Sequence, residues 1–360
     1  MISSRTTAEN NQRERNHYHE KIHQNRRTQP DAGTCCRHEH FCFCRKLHCP
    51  EGDSLYKIAK SQLGSGDRWQ EVYQANASTI KNPNLIYAGQ VLDLPDAPTT
   101  STVKLASGSV TVYHYGDVNL HVYNSEDALG DVAYIVEGKN ALVGIELPSF
   151  TAGLDAWKGY VQSLDKPMND IFLDAHVTGA SYVSGMNVYG TQAAKDAIAS
   201  GSTFATTDGL YQTFGSDFHG GSDMAQINTV VSGKVTVGGI EFNVIDRGDT
   251  YDLEIPSINV VYTHMLGKTV HSIMPSTDAM DAMLDTLHDY QNKGYAMVLS
   301  GHSTPEGQDA VTEKIAYVQK AKELAASCTT ADEFKAAMKE AFPNYAGDNY
   351  LEMTAGYLFQ

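Results

Sequence analysis

The sequence lacks two features that would define its class at once. No apolar run reaches the length of about 18 residues that a membrane-spanning helix requires, and only six cysteines occur in 360 residues. Five share one short tract and Cys328 stands apart, so the body of the chain is not a disulfide scaffold. The first residues lack the apolar core of a secretory signal. These absences predict a cytoplasmic protein as the sequence stands; a cell-envelope location stays open if the N-terminus is misassigned or export is non-classical.

Basic residues are also scarce. The chain has 27 Lys and Arg against 43 Asp and Glu, a net charge of −16. The acidic excess lies beyond residue 50, in the body of the protein. Such a surface repels nucleic acid and anionic membranes, so neither is expected as a partner.

The N-terminal region, residues 1–46, is polar and without periodicity, which predicts a disordered tail. Thiol and imidazole groups are concentrated at its end: Cys35, Cys36, His38, His40, Cys42, Cys44, His48 and Cys49. These are groups that Zn²⁺ prefers as ligands. Their irregular spacing favours an unstructured tract over a zinc site, although both interpretations stay open.

Residues 47–95 have the pattern of a small β-α-α-β module. Asp53 and Ser54 are typical helix caps and precede apolar residues at helical spacing. The opening GDSLYKIA, the turn N-x-x-x-I-x-N-P-N-x-I-x-x-G-Q and the closing VLDLP resemble the LysM domain. The resemblance implies binding of N-acetylglucosamine-containing glycans such as peptidoglycan. It places the groove on Gly52, Asp53, Ser54, Leu55, Asn84, Leu85, Ile86 and Tyr87.

Three further segments complete the predicted organisation. Residues 96–109 are rich in Pro, Ser and Thr and are expected to be a linker. From 110 to 330, alternating and fully apolar strands alternate with amphipathic helices, which predicts an α/β domain with two runs of sheet. Residues 331–360 are expected to form a helical extension that packs on that domain.

Several strands of this domain end in polar side chains that bind metals. NDIFLDAH ends at Asp174 and His176, INVVYTH at His264 and AMVLSGH at His302, while Asp249 follows a glycine in FNVIDRGDT. Metal and catalytic sites at sheet edges are assembled from separate segments in this way. These five residues are therefore the candidate metal ligands.

The order of strands and polar tips resembles the metallo-β-lactamase fold, an αββα sandwich, over roughly residues 107–330. The resemblance aligns Asp174, His176, Thr178 and Gly179 with the H-x-H-x-D-H motif of that family. Asp249 and His264 stand where the family has a His and a bridging Asp, and VLSGHSTPEG matches its closing G-H strand at His302. The motif is therefore degenerate.

The altered ligand set predicts one metal rather than two. Two carboxylates and three imidazoles suit Zn²⁺, and Fe²⁺ or Mn²⁺ are not excluded. A metal-free pocket in which the same side chains bond one another is an equal alternative. If a metal is bound, Asp174 or Asp249 is the candidate catalytic base, because Thr178 cannot act as a base at neutral pH. Glu146 and Thr178 are expected to hold the ligand side chains in orientation without binding the metal themselves. His121 is expected to face solvent.

Two functions follow from these patterns. The first is a divergent hydrolase with a mononuclear metal site, fused to a glycan-binding LysM module and acting on an unidentified small molecule. The second is a metal-free sandwich that only binds a ligand, with LysM as the working module. Thr178 and Gly179 stand where the family has an acid and an imidazole, and this loss favours the metal-free binding protein. Asp249 and His264 stand where the family has a His and an Asp, and this reciprocal exchange favours an altered but functional metal site.

Overall fold

A computed structural model describes residues 45–50, 52–63, 66, 69–94, 98–219 and 223–359. The predicted disordered tail lies outside the described residues except for Arg45 and Lys46, which open the first strand. The thiols at positions 35–44 also lie outside them. Cys49 is 3% exposed and packs in the core of the first module, away from any surface cluster.

The first module consists of two strands and two helices. Strands β1 (Arg45–His48) and β2 (Val91–Leu94) pair antiparallel, and helices α1 (Leu55–Leu63) and α2 (Trp69–Ala75) lie between them in sequence. Asn76 joins helix to sheet. Its side-chain Nδ2 donates to the Asp93 backbone carbonyl at 2.7 Å, and its Oδ1 accepts from the Asp93 backbone amide at 2.8 Å. One buried asparagine thus fixes the end of α2 against β2.

An eight-stranded sheet follows, in the order β10-β9-β8-β7-β6-β5-β4-β3. Its strands are β3 (Thr99–Lys104), β4 (Ser109–His114), β5 (Asn119–Asn124), β6 (Val132–Glu137), β7 (Leu142–Ile145), β8 (Met168–Phe172), β9 (Asn187–Gly190) and β10 (Thr229–Val230). Neighbours from β3 to β7 pair antiparallel, and those from β7 to β10 pair parallel. The parallel half leads to the polar strand ends.

The segment 96–109, expected to be a linker, instead contains β3 and the start of β4. Strand β3 pairs along its whole length with β4 and forms an edge of the sheet. The sequence TTSTVK is rich in β-branched residues, which favour a strand when a partner is available. The proline and the hydroxyl-bearing residues suggested a linker, but they also suit an exposed edge.

A six-stranded sheet faces the first one, in the order β11-β12-β13-β14-β15-β16. Its strands are β11 (Gly233–Val237), β12 (Ile240–Asp246), β13 (Tyr251–Ile255), β14 (Val260–Thr263), β15 (Met297–Ser300) and β16 (Ser303–Glu306). The rings of Phe172 and Phe242 meet across the two sheets with centroids 5.0 Å apart. All neighbours are antiparallel except β14 and β15, which run parallel.

Helices cover the outer faces of both sheets. They are α3 (Thr151–Ser163), α4 (Gln192–Ser200), α5 (Ser202–Phe214), α6 (Thr277–Lys293), α7 (Gln308–Ser327), α8 (Ala331–Ala341) and α9 (Asp348–Leu358). Along β14, Val260 and Tyr262 join the core between the sheets, while Val261 joins a second core with α6 and α7. A strand buried on both faces requires this alternation. The predicted αββα sandwich is confirmed.

The last two helices pack on the second core. Phe334 and Met338 of α8 and Leu351 of α9 are buried there. Thr354 also accepts from the Met274 amide and donates to the Ser272 carbonyl, which ties α9 to the loop before α6. Among the described residues, no helix is long and apolar enough to cross a membrane.

Candidate functional site

Two parallel strands bring two histidines to the same edge of the six-stranded sheet. The register pairs Thr263 of β14 with Ser300 of β15, so the residues that follow each strand lie side by side. The amide of Gly301 donates to the His264 carbonyl at 2.9 Å, and His302 follows directly. His176 reaches the same place from the loop after β8 in the other sheet.

Three imidazoles converge at this edge. Each of His176, His264 and His302 offers a ring nitrogen, and the three atoms lie within 4.8 Å of one another. The Nε2 atoms of His176 and His302 are 3.1 Å apart. The three ring centroids are separated by 4.6, 5.0 and 5.4 Å. This group is called the histidine cluster below.

Two imidazoles of the histidine cluster, those of His264 and His302, favour the neutral form. Burial, reinforced by the neighbouring rings of His176 and His302, lowers the pKa of His264 well below its usual value. Burial and the proximity of His176 lower the pKa of His302 to about 4, although Asp131 acts in the opposite direction. Neutral imidazole is the form that binds a metal. The electrostatics of the site therefore suit a cation rather than protons.

Glu146 fixes the loop that carries His176. Its Oε1 accepts from the amides of Asp174 at 2.9 Å and Ala175 at 3.2 Å, and its Oε2 accepts from the His176 amide at 2.8 Å. The Tyr262 hydroxyl donates to Oε1 at 2.9 Å. Glu146 is fully buried and has φ +61°, a left-handed conformation that a non-glycine residue adopts only when its surroundings compel it.

Asp174 is not part of the histidine cluster. Its side chain is fully buried and lies against the Tyr251 backbone. Burial raises its pKa well above the usual value, and the charge of Glu146 adds to that effect. Its charge in turn acts on Tyr251 and Tyr262 of the inter-sheet core. The carboxylate is therefore in the interior, and the expectation that it ligates a metal or acts as base is not met by this geometry.

Asp249 is also outside the cluster. It is exposed at the rim, where its Oδ2 accepts from the Ser202 hydroxyl at 2.5 Å. Its neighbour Thr250, rather than Asp249 itself, lines the cavity in front of the histidines. The spacing in the sequence located this turn near the site but could not give the direction of the side chain.

Asp131 is a member of the site that the sequence did not indicate. Its Oδ1 lies 3.5 Å from His302 Nδ1 and 3.7 Å from His176 Nε2, and its side chain is fully buried. The residue precedes β6 rather than ending a strand, so a search of strand ends passes over it. The signal in the sequence was an acid placed directly before the wholly apolar run VAYIV.

A cavity of about 200 Å³ opens in front of the histidine cluster. Its wall is rich in hydroxyl groups, and α5 supplies much of it. The lining residues are Leu129, Ser149, Ala175, His176, Thr178, Ser202, Thr203, Thr206, Thr207, Leu210, Phe218, Thr250, His264 and His302. Thr178 is buried, and its hydroxyl has no hydrogen-bond partner among the described residues. Its predicted role behind the ligands stays a prediction, and the structure places it on the cavity wall.

The predicted glycan groove divides into surface and core residues. Leu85 and Tyr87 are 52% and 63% exposed, and Gly52, Ser54 and Asn84 are also exposed. Asp53 and Ile86 are half-buried, and Ile86 packs against the core of the module. Leu55 is 2% exposed and is a core residue, so its side chain offers no surface to a ligand. The groove assignment otherwise stays a prediction.

The expectation that His121 faces solvent is wrong. His121 is 2% exposed, and its ring bonds to Tyr160 Oη at 2.7 Å and to Glu137 Oε2 at 3.0 Å. The strand β5 alternates polar and apolar residues in sequence, but it is covered on both faces. The polar side chain of His121 must therefore find partners inside the protein.

Comparisons with known proteins support both parts of the architecture. Residues 51–95 match the family model of the LysM domain. Over 45 residues the chain is 38% identical to a potassium binding protein, Kbp, of Escherichia coli, a match that covers 12% of this chain and 30% of that protein. The chain therefore contains a LysM domain at residues 51–95, and it spans less than a third of this curated relative.

The body of the chain is similar to solved structures of the metallo-β-lactamase fold. The stereoselective inverting sec-alkylsulfatase Pisa1 from Pseudomonas sp. superposes with a TM-score of 0.51 at 15% identity, covering 71% of this chain and half of that one. A metallo-β-lactamase family protein from Thermus thermophilus has a TM-score of 0.47 at 14% identity, over 68% of this chain and 91% of that one. The likeness to Pisa1 shows the fold alone; the correspondence with the H-x-H-x-D-H motif stays a prediction.

Proposed function

We propose that this protein is a metal-dependent hydrolase with a mononuclear centre held by His176, His264 and His302. The observation that carries the proposal is the convergence of three imidazoles at the edge where the two sheets meet, facing a cavity. Zinc is the preferred cation, because three imidazoles with one open position form a common catalytic zinc site.

The residues present fit such an ion. The Nδ1 atoms of His176 and His264 are buried and have no hydrogen-bond partner among the described residues. Buried polar atoms are normally paired, so unpaired nitrogens within one cluster of imidazoles indicate a missing partner. A divalent metal bound there would supply the Lewis acidity that hydrolysis requires and that the imidazoles alone lack.

The cavity favours a small substrate. Its volume of about 200 Å³ is below the roughly 300 Å³ at which pockets for drug-sized ligands begin. The described lining contains no Lys, Arg, Asp or Glu, and apart from the three histidines its polar side chains are hydroxyls. Hydroxyls can orient a carbonyl through hydrogen bonds. Lactones and activated carboxylic esters, whose leaving groups depart readily, suit this lining best.

The LysM domain is proposed to hold the enzyme on N-acetylglucosamine-containing glycans. The exposed side chains of Leu85 and Tyr87 provide apolar surface for a sugar face, and the exposed backbone near Gly52 can bond to acetamido groups. A single shallow groove buries little area, so affinity is expected to be low.

The hydrolase proposal is tested by metal content and ester hydrolysis of the full-length protein. We expect one equivalent of metal that is present in the wild type and absent from His264→Ala and His302→Ala, together with loss of lactone and aryl-ester hydrolysis. His288→Ala, which removes an exposed histidine from α6, is the matched control and should retain both. Equal metal content in all four proteins would contradict the proposal and favour the metal-free binding protein.

The glycan proposal is tested by co-sedimentation with insoluble peptidoglycan. The double variant Leu85→Ser, Tyr87→Ser is expected to lose about tenfold in affinity, since burial of two apolar side chains is worth a few kcal/mol at most. Val91→Ser removes another exposed apolar residue of the same domain and should bind as the wild type does. Equal binding by the groove variant and the control would contradict the groove assignment.

A further inference from the structure

Asp131 has an unusual position for a carboxylate: it is fully buried, and one of its oxygens has no hydrogen-bond partner among the described residues. The other oxygen, Oδ2, accepts from the Ser149 amide at 2.9 Å. A buried carboxylate without full compensation is costly, so its retention needs a reason. The orphaned atom, Oδ1, is the one that faces the histidine cluster.

The surrounding loop holds Asp131 rigidly in this position. Its carbonyl accepts from the hydroxyl and amide of Ser125 at 2.8 and 3.0 Å, and its own amide donates to Asp127 Oδ1 at 3.2 Å. The next residue, Val132, donates its amide to the Gly301 carbonyl at 2.8 Å, beside His302. Because these bonds link β6 to the loop after β15, the approach of Asp131 to the histidines is built into the pairing of the two sheets.

The distances place Asp131 on the Nδ1 side of His302. Oδ1 lies 3.5 Å from His302 Nδ1 and 3.7 Å from His176 Nε2. A histidine that binds a metal commonly turns its other ring nitrogen to a carboxylate or a backbone carbonyl, which fixes the ring and strengthens it as a ligand. His302 also directs Nδ1 to the Leu129 carbonyl at 3.2 Å, which leaves its Nε2 for the side of the cluster where His176 lies.

We propose that Asp131 is the anionic member of the metal site and sets its affinity for a divalent cation. This inference rests on the proposed metal centre. The buried carboxylate has no hydrogen-bond donor at Oδ1 among the described residues. A bound divalent cation offsets it, and the carboxylate in turn strengthens binding of the cation. Asp174, the carboxylate that the sequence had indicated, has no such contact.

The test compares two isosteric changes of buried acids, Asp131→Asn and Asp174→Asn, in the full-length protein. Zn²⁺ affinity is measured by competition with a chromophoric chelator, and unfolding by urea is measured with and without the metal. Asp131→Asn is expected to weaken Zn²⁺ binding by about 10- to 100-fold, the usual effect of losing a group that supports a metal site. Asp174→Asn should remain within about threefold of the wild type.

Stability separates this role from a merely structural one. The carboxamide oxygen in Asp131→Asn would still accept from the Ser149 amide, so the variant should leave the metal-free protein as stable as the wild type or more stable, because an uncompensated charge is gone. The same variant should be less stable than the wild type when zinc is present. A structural role predicts equal destabilisation in both conditions, and that result would overturn the inference.

The two proposals fail in different ways. Histidine-dependent zinc binding that is unchanged in Asp131→Asn would overturn the inference and leave the hydrolase proposal standing. Weaker binding in Asp174→Asn than in Asp131→Asn would also overturn it and return the role to the residue indicated by the sequence. Absence of any zinc binding that depends on His264 would remove both proposals.

Discussion

At the scale of single residues, Gly301 controls how closely the imidazoles approach one another. A Cβ atom at this position would lie 3.1 Å from His264 Nδ1 and 3.2 Å from His176 Cε1, closer than side chains normally pack. The glycine thus leaves space that the rings occupy. It stands directly before His302, so any side chain there would crowd the site that the following residue completes.

Gly301→Ala is expected to weaken zinc binding by roughly tenfold, because a displacement of a few tenths of an ångström misaligns ligands whose geometry must be held closely. The variant should still fold, since the glycine is not among those with positive φ. The measurement is chelator competition on the purified protein. Gly159→Ala, on α3 with nothing within 4 Å of the added carbon, is the control and should bind zinc normally. Full affinity in Gly301→Ala would show that the cluster tolerates the movement.

The sequence singled out three histidines that the structure brings together and two carboxylates that it does not, for a definite reason. His176, His264 and His302 each follow an apolar strand, and strand ends of an α/β sandwich meet at one edge. The pattern does not say whether a side chain after the last paired residue faces the cleft or the core, and Asp174 faces the core. Asp131 precedes its strand and reaches the site through bonds between sheets that no local pattern reports.

At the scale of elements, β5 and β6 are joined to α3 by a buried polar network around Glu137. Its Oε1 accepts from Lys166 Nζ at 2.7 Å, and its Oε2 accepts from Asn119 Nδ2 at 2.6 Å and contacts His121 Nε2 at 3.0 Å. Burial opposes ionisation, but the bonds from these partners outweigh it and hold the pKa of Glu137 at about 2, against an ordinary 4.5. His121 continues the network to Tyr160 on α3.

Acid should therefore destabilise the wild type through Glu137. The ionised carboxylate contributes stability above pH 4.5 that is lost as the pH falls toward 2, about 2 kcal/mol once partial solvent screening of the group is allowed for. Glu137→Gln should remove this part of the pH dependence, as measured by urea unfolding between pH 5 and 2.5. Glu126→Gln removes an equal charge from the exposed pair with Lys104 and should follow the wild-type curve. Parallel curves for all three proteins would contradict the prediction.

Helix α7 carries a second buried charge, Lys314, which is fully inaccessible to solvent. Its Nζ donates to the Val270 carbonyl at 2.6 Å and to Ser272 Oγ at 3.2 Å, and it lies 4.9 Å from the Tyr317 ring centroid. The lysine thus fastens α7 to the loop before α6. Burial lowers its pKa to about 8, although Glu306 and Glu313 act in the opposite direction.

A depressed pKa of a buried lysine costs stability wherever the amine must be protonated. The cost is complete below about pH 8 and is relieved as the pH rises to the ordinary value of 10.5. We expect the wild type to gain about 3 kcal/mol relative to Lys314→Met between pH 7.5 and 10.5. Lys320→Met, an exposed position on the same helix, should show no such change. The measurement is urea unfolding at several pH values, and a constant difference between wild type and Lys314→Met would refute the prediction.

At the scale of the whole molecule, the sequence predicted the sandwich because local patterns of apolar and polar residues distinguish buried strands from the helices that cover them. Wholly apolar runs marked strands buried on both faces, and amphipathic runs marked the helices that cover them. Strand β3 was missed because threonine and serine suit both an edge strand and a linker. Helix α5 was missed as well: STFATTDGLYQTF has little apolar periodicity, yet it forms much of the cavity wall.

The metal proposal extends to the stability of the whole domain. A cation that binds only the folded state stabilises it by about 4 kcal/mol at a thousandfold excess over Kd, which corresponds to a rise in Tm of roughly 10 °C for a domain of this size. Calorimetry of the full chain with EDTA and with added zinc should show this rise in the wild type and lose it in His264→Ala.

The cysteine and histidine tract before residue 50 offers thiols of the kind that bind zinc, so the metal that depends on His264 is the decisive part of the total. Metal bound by that tract does not depend on His264, because the histidine cluster is built from strands of the sandwich. The informative quantity is therefore the difference in Tm shift between the wild type and His264→Ala. An equal zinc-induced rise in both proteins would assign the metal to the tract and leave the sandwich without one.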